Sequence, residues 1–227
     1  NFFHTYIFFV FIENHLILLS SFLSFSLLTS ILLSLDTTYN FLRFPSVVNK
    51  LITELKEPVD IVVNNAGYFM KEKETVLGGT MDFEDEMKTL NICAIGPLRI
   101  TNALWHGQKI VPGTGKIIFI TSQGGSIQWR DTQCPNGGDY GHHMSKAAAN
   151  MAAKLVANEM KGKALVGILH PGFNRTEMTA KYSHIWDIEG AVEPEVGAKR
   201  VLHEINILST ETSGKFINCE DGLEIPW

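Results

Sequence analysis

No glycine occurs before Gly67 in this chain of 227 residues. That excludes, in the first quarter, a glycine-rich turn from strand to helix whose backbone N–H groups cradle a phosphate. Basic residues are scarce there too, since no Lys or Arg precedes Arg43, and later ones are scattered without a stripe at a net charge of -5. A nucleic-acid partner is excluded on that ground. Cysteine is limited to Cys93, Cys134 and Cys219, without ligand spacing. This supports neither a metal site nor a disulfide framework and suits a reducing, cytoplasmic setting. Internal repeats and low-complexity linkers are lacking as well, so a single domain is expected.

Charge is missing altogether between His15 and Asp36, where 20 mostly apolar residues follow one another. A membrane-spanning helix needs about 20. Ser20, Ser21, Ser24, Ser26, Ser30 and Ser34 dilute the apolar character, however, and no Lys or Arg flanks the stretch closely. A membrane-associated form anchored through residues 16–35 therefore stands as the minority reading. The majority reading is a buried βα segment or an irregular start of the chain.

What is present is enough apolar material for a core, with 45% hydrophobic residues of which the aromatics make up 10% of the chain. The organising stretch is Val59-Asp60-Ile61-Val62-Val63-Asn64-Asn65-Ala66-Gly67. Its continuous β-branched run predicts a central parallel strand covered on both faces, and its small polar ending predicts a ligand beyond the strand's carboxyl end. Residues 5–12 have strand composition, Ile31 to Leu35 fits a short strand, and the stretch between them is read as a helix. Ser46 to Lys56 has helical spacing, as does a segment from about Asp82 to about His106. Lys116 to Ser122 repeats the organising design, and Gly124 to Tyr140 reads as a long functional loop. An Ala-rich helix is expected over residues 145–161 and a third buried strand over 164–170. Glu195 to Ile207 and residues 214–218 predict a last helix and strand. The alternation predicts an α/β fold with a parallel sheet.

In order along the chain stand Asn64-Asn65-Ala66-Gly67, Asn91, Ser122, Ser145-Lys146, and Pro171-Gly172 with Thr176. That ordered set resembles the short-chain dehydrogenase/reductase family. The loop after Ser122 and the ending through Gly222-Leu223-Glu224-Ile225-Pro226-Trp227 look like its C-factor-like (sniffer-like) branch. The resemblance covers residues 36–227, expected to be one Rossmann-like, doubly wound domain preceded by an aberrant hydrophobic segment, 1–35. It implies an oxidoreductase that moves hydride between NAD or NADP and a small carbonyl or alcohol. Ser122 would bond the substrate oxygen. Lys146 would hold the nicotinamide ribose and lower the pKa of a neighbouring tyrosine. Asn91 would prop a helix and order a relay water. Asp36, Asn65, Ala66, Gly67, Pro171, Gly172 and Thr176 would line the dinucleotide. Homodimers or homotetramers are the analogy's expectation for assembly.

Two departures stand beside these matches. The family's Tyr-x-x-x-Lys places its tyrosine one helical turn before the lysine, and here that position is His142. Tyr140 lies two residues earlier, a rotation of about 200° on a helix. His142 could donate a proton near neutrality, while Lys146 would favour its neutral form. His142 beside His143 reads as a solvent-facing pair at a helix start rather than a metal site. The second departure is the absent glycine loop, with residues 5–12 as a surrogate first strand beside the organising one. A truncated or misassembled amino terminus is the simplest account of it. A non-catalytic binding or signalling scaffold of the same fold is the alternative function.

Overall fold

The computed structural model describes residues 6–12, 15–20, 33–34, 52–53, 55–70 and 72–227, the first three stretches by backbone alone. Seven strands form one sheet in the order β3-β2-β1-β4-β5-β6-β7. They are β1 (Tyr6–Ile12), β2 (His15–Ser20), β3 (Leu33–Ser34), β4 (Ile61–Asn64), β5 (Lys116–Ile120), β6 (Leu165–His170) and β7 (Phe216–Asn218). β1, β4, β5, β6 and β7 run parallel. β2 and β3 are added antiparallel at the edge.

β4 is the organising strand, buried along its whole length. Val62 packs in a cluster with Ile117, Val166 and Phe216, whereas Val63 packs with Ile118, Leu169 and Ile217. Successive residues on opposite faces thus enter two separate cores, which is why the run is continuous rather than alternating. Each aliphatic side chain so buried contributes about 1.5–3 kcal/mol.

The helices described over their whole length include α1 (Phe83–Leu90), α2 (Gly96–His106), α3 (Arg130–Gln133), α4 (Tyr140–Glu159) and α5 (Pro194–Ile207). Ile100 and Leu104 of α2 and Ala153 and Val156 of α4 cover one face, and Ile205 of α5 covers the other. Both faces are therefore clad, the doubly wound Rossmann-like arrangement. α1 begins where Asp82 accepts the backbone N–H groups of Glu84 and Asp85, each at 3.1 Å.

Residues 5–12 were expected as a surrogate first strand, and β1 pairs with β4 from Tyr6 opposite Ile61 to Phe9 opposite Asn64. The helix expected before residue 31 is corrected: residues 15–20 form β2, pairing with β1 from Ile12 opposite His15 to Ile7 opposite Ser20. The free ladder of β1 supplies hydrogen bonds that override local helix preference. Ile31 to Leu35 was expected as a short strand, and Leu33–Ser34 within it form β3 at the outer edge, antiparallel to β2. The Ala-rich helix starts at Tyr140, five residues before the expected start at Ser145, and the preceding loop contains α3 and a tight turn at Gln123–Gly125. Most of Ser46 to Lys56 lies outside the described residues. Among those described, no helix is long and apolar enough to cross a membrane. Of the candidate anchor, residues 16–20 lie in β2 and 33–34 in β3.

Candidate active site

The carboxyl ends of β4, β5 and β6 open on one edge of the sheet, where Asn65 to Gly67, Ser122 and Pro171-Gly172 emerge. Ser122 has extended backbone and caps the turn Gln123–Gly125. Its Oγ accepts the Gly124 N–H at 3.0 Å. With the oxygen's lone pair so used, the hydroxyl hydrogen remains to donate to a ligand.

α4 delivers the other two candidate residues, His142 and Lys146, one turn apart on the same face. Lys146 is 8% exposed and its Nζ donates to the Ile120 carbonyl at 3.3 Å, which brings the ammonium to the end of β5. His142 packs edge-on against Phe69, ring centres 4.5 Å apart. A Cβ added at Gly124 would stand 2.8 Å from His142 Nε2. The residue is half-buried, not solvent-facing as expected. Burial, then the Lys146 charge, with His143, Lys181 and Arg130 adding, holds its pKa well below the ordinary histidine range. His142 is consequently neutral at neutral pH, with one N–H to donate and no imidazolium proton. Tyr140 is the first residue of the same helix, so the two-residue rotation away from the Lys146 face applies to it.

His170, at the end of β6, is 5% exposed, and neither ring nitrogen has a partner among the described residues. Burial first and Lys146 second push its pKa down to about 4. Asn91 opens a π-helical turn, Asn91–Ile95, that packs on α4. Its Oδ1 accepts Arg99 Nη1 at 2.7 Å, and its carbonyl accepts the Gly96 N–H. Such turns insert one residue into a helix and recur at functional sites.

The residues that would face a dinucleotide divide into two groups. Asn65 is exposed, Ala66 buried and Gly67 half-buried at the end of β4. The Met178 methyl comes within 3.3 Å of a Cβ built on Gly67. Gly172 has φ of 85°, a left-handed conformation suited to glycine. The Asn174 amide donates to the carbonyls of Pro171 and Gly172, fixing that turn. Thr176 caps the 3₁₀ segment Glu177–Ile185. On the family resemblance, Pro171, Gly172 and Thr176 with Lys146 would face the nicotinamide end of a dinucleotide, and Asn65, Ala66 and Gly67 its adenosine ribose. The pyrophosphate end does not fit: β1 is followed by the antiparallel β2, and among the described residues no helix N-terminus lies at its carboxyl end to receive the phosphates. Asp36 lies outside the described residues.

Several site neighbours escaped the sequence reading. Asp139 (φ 51°) accepts Lys181 Nζ at 3.0 Å and the Tyr182 hydroxyl at 2.8 Å. Lys181 also donates to the Met70 carbonyl and lies 3.9 Å from the Phe69 ring centre. Burial and the Asp139 carboxylate push the Tyr182 pKa up, so that hydroxyl keeps its proton. Glu74 is 2% exposed and accepts the Gly141 N–H at 2.7 Å. His143 and Arg130 grip the turn after Ser122. Only the Gly-Gly-Asp run at 137–139, a helix-start signal, hinted at any of these.

A family model described as short chain dehydrogenase matches residues 30–185. C-signal of Myxococcus xanthus is 31% identical over 176 residues, covering 75% of this chain and 93% of that protein. The carbonyl reductase Sniffer of D. melanogaster is similar in structure, with a TM-score of 0.66 at 23% identity over 83% of this chain and 75% of its own. An NADPH-bound carbonyl reductase from chicken fatty liver gives a TM-score of 0.67 at 23% identity, covering 80% and 71%. At such identities the two structures speak for the fold.

Proposed function

Because this chain belongs to the short-chain dehydrogenase/reductase family, we propose that residues 36–227 act as an NAD(P)-dependent oxidoreductase on a small carbonyl or alcohol, slowed by its own active-site residues. The observation that carries this reading is the meeting of Ser122 and His142 at Gly124, with the Lys146 ammonium close enough to His142 to oppose its charging. When bound, the cofactor supplies or accepts a hydride. This chain's residues do the rest. The Ser122 hydroxyl donates to the carbonyl oxygen as it gains negative charge, and the His142 N–H lies where a second donor is needed. Lys146, an ammonium under the His142 turn, favours that negative charge further. Asn65, Ala66 and Gly67, with Pro171, Gly172 and Thr176, line the cleft, and Asn91 steadies the helix behind it.

Slow turnover follows from the proton inventory. An alkoxide must be protonated to leave as alcohol, and a general acid works best when its pKa lies near the operating pH. His142 is held well below that range. A tyrosine in its place would have a pKa lowered by Lys146 toward it. His142→Tyr is therefore expected to raise carbonyl reduction by NADPH about 10²-fold, the lower bound of general-acid catalysis. Unchanged turnover in a variant that still quenches nicotinamide fluorescence on titration would sink the assignment of His142.

A non-catalytic binding scaffold is the second reading, favoured by the β1–β2 hairpin where a phosphate-binding helix would begin. Losing those backbone donors and the helix-end field costs several kcal/mol of cofactor affinity. Fluorescence titration separates the two readings: saturation below millimolar cofactor supports the reductase, and none supports the scaffold.

A further inference from the structure

We propose that His143, with Arg130 beside it on the same turn, is a positioning residue that holds the Ser122–Gly125 turn so that the Ser122 hydroxyl and the His142 ring address the same substrate oxygen. The assignment rests on the carbonyl-reduction reading of this site. Ser122 takes its orientation from Gly124, whose N–H it accepts at 3.0 Å. Gly124 in turn is held by His143, whose Nδ1 lies 2.8 Å from the Gly124 carbonyl. Since a carbonyl only accepts, the ring carries its proton on Nδ1. Arg130 Nη1 lies 3.3 Å from the same nitrogen, packed beside it. Its other nitrogens donate to the carbonyls of Gln123 at 3.1 Å and Ser126 at 3.0 Å.

The carbonyls at 123, 124 and 126 are thus fixed by two neighbouring side chains. Gly124 is wedged between two rings, since a Cβ there would meet His142 Nε2 at 2.8 Å and His143 Nδ1 at 3.1 Å. The two imidazoles lie edge-on, ring centres 5.4 Å apart. Moving Gly124 would move the N–H that orients Ser122 and, in the same step, the surface on which His142 rests. Adjacent helical residues diverge by about 100°. That divergence lets His142 face the cleft while His143 reaches behind the turn.

The test compares the full-length parent with His143→Ala, His143→Asn and His143→Gln. Asparagine places its amide nitrogen where Nδ1 stood, whereas glutamine carries its own one bond too far. Two quantities are read: kcat and KM for carbonyl reduction, and hydrogen exchange of the Gly124 amide. For Ala and Gln, kcat is expected to fall about tenfold, as for a displacement of a fraction of an ångström, with KM for the carbonyl little changed. Gly124 exchange should quicken about fivefold in both, and Asn should restore both readouts. Equal losses in all three variants, tracking thermal unfolding, would make His143 merely structural and overturn the proposal. Absence of turnover in the parent would overturn the reductase reading; the exchange arm still judges the clamp, and identical Gly124 exchange in all four proteins overturns it.

Discussion

His170 shows what a buried titratable group does to this fold at the scale of one residue. The imidazole is enclosed and lacks a hydrogen-bond partner among the described residues, with the Lys146 ammonium close enough to oppose its charging. Its pKa is about 4 in the fold and about 6.5 in the unfolded chain. Between those values the unfolded state binds more protons than the native one, so stability rises with pH. The contribution is intact above the unfolded value and is lost as pH falls from about 6.5 toward about 4. Lowering the pH from 7 to 4.5 should cost the parent about 2–3 kcal/mol more than it costs His170→Gln. Urea unfolding of both proteins at the two pH values measures this. His142 carries a depressed pKa in both and cancels in the difference. Equal pH sensitivity in the two proteins would mean that His170 is solvated or paired in solution.

At the scale of the element, α4 is a helix capped from outside itself. Asp139 occupies the cap position with left-handed backbone and makes no side-chain cap, because its carboxylate is turned to Lys181 and Tyr182. Glu74, from the connection after β4, supplies the acceptor instead. A carboxylate there satisfies one orphan N–H and lies at the positive end of the helix dipole. Glu74→Ala leaves that donor buried and unpaired, and is expected to lower unfolding free energy by about 2 kcal/mol. Glu74→Gln, which keeps the acceptor and loses the charge, should cost about half as much. Chemical denaturation reads both, and an Ala variant as stable as Gln would show that water replaces the carboxylate. This element also marks the limit of what residue order reveals. β4, β5 and β6 were legible because burial on both faces writes itself as an unbroken apolar run. Ser122, Lys146 and Asn91 could be named only because their ordered set resembles a family's motifs; no periodicity or spacing shows their roles. The cap from Glu74 spans 67 residues of chain, and the clasp of Lys181 on Asp139 spans 42. Contacts made by the fold between distant segments leave no local periodicity. β2 was missed for a related reason, since a strand that exists to complete its neighbour's ladder need not show the preference by itself.

At the scale of the whole molecule, two neighbouring elements leave apolar side chains in solvent. Met144, Met151 and Leu155 are exposed on α4 at intervals of seven and four residues, a single helical stripe. Phe83 and Met87 on α1 and Ile95 and Leu98 around the π turn are exposed too, on elements that pack against α4. Large apolar side chains exposed on elements packed together mark a candidate interaction surface. We propose that this face joins a second copy of the chain about a two-fold axis, where one self-complementary patch covers its twin. Sedimentation equilibrium at micromolar concentration should then give twice the 25.3 kDa of one chain. Leu155→Glu would place two carboxylates near the axis of a dry interface, where each costs several kcal/mol to desolvate unpaired. The dimer constant should weaken at least about 10²-fold, since each 1.4 kcal/mol is tenfold. Secondary structure by circular dichroism should be retained, because residue 155 faces outward from the core cluster. A parent that sediments as a monomer would assign the stripe another occupant, and a Leu155→Glu dimer as tight as the parent's would place the interface elsewhere. The same face bears on activity, because α4 also carries His142, His143 and Lys146. A partner pressed on its outer side opposes fraying of the helix and holds its inner side steady. Turnover per chain in Leu155→Glu should accordingly fall with dilution at concentrations where the parent's holds constant.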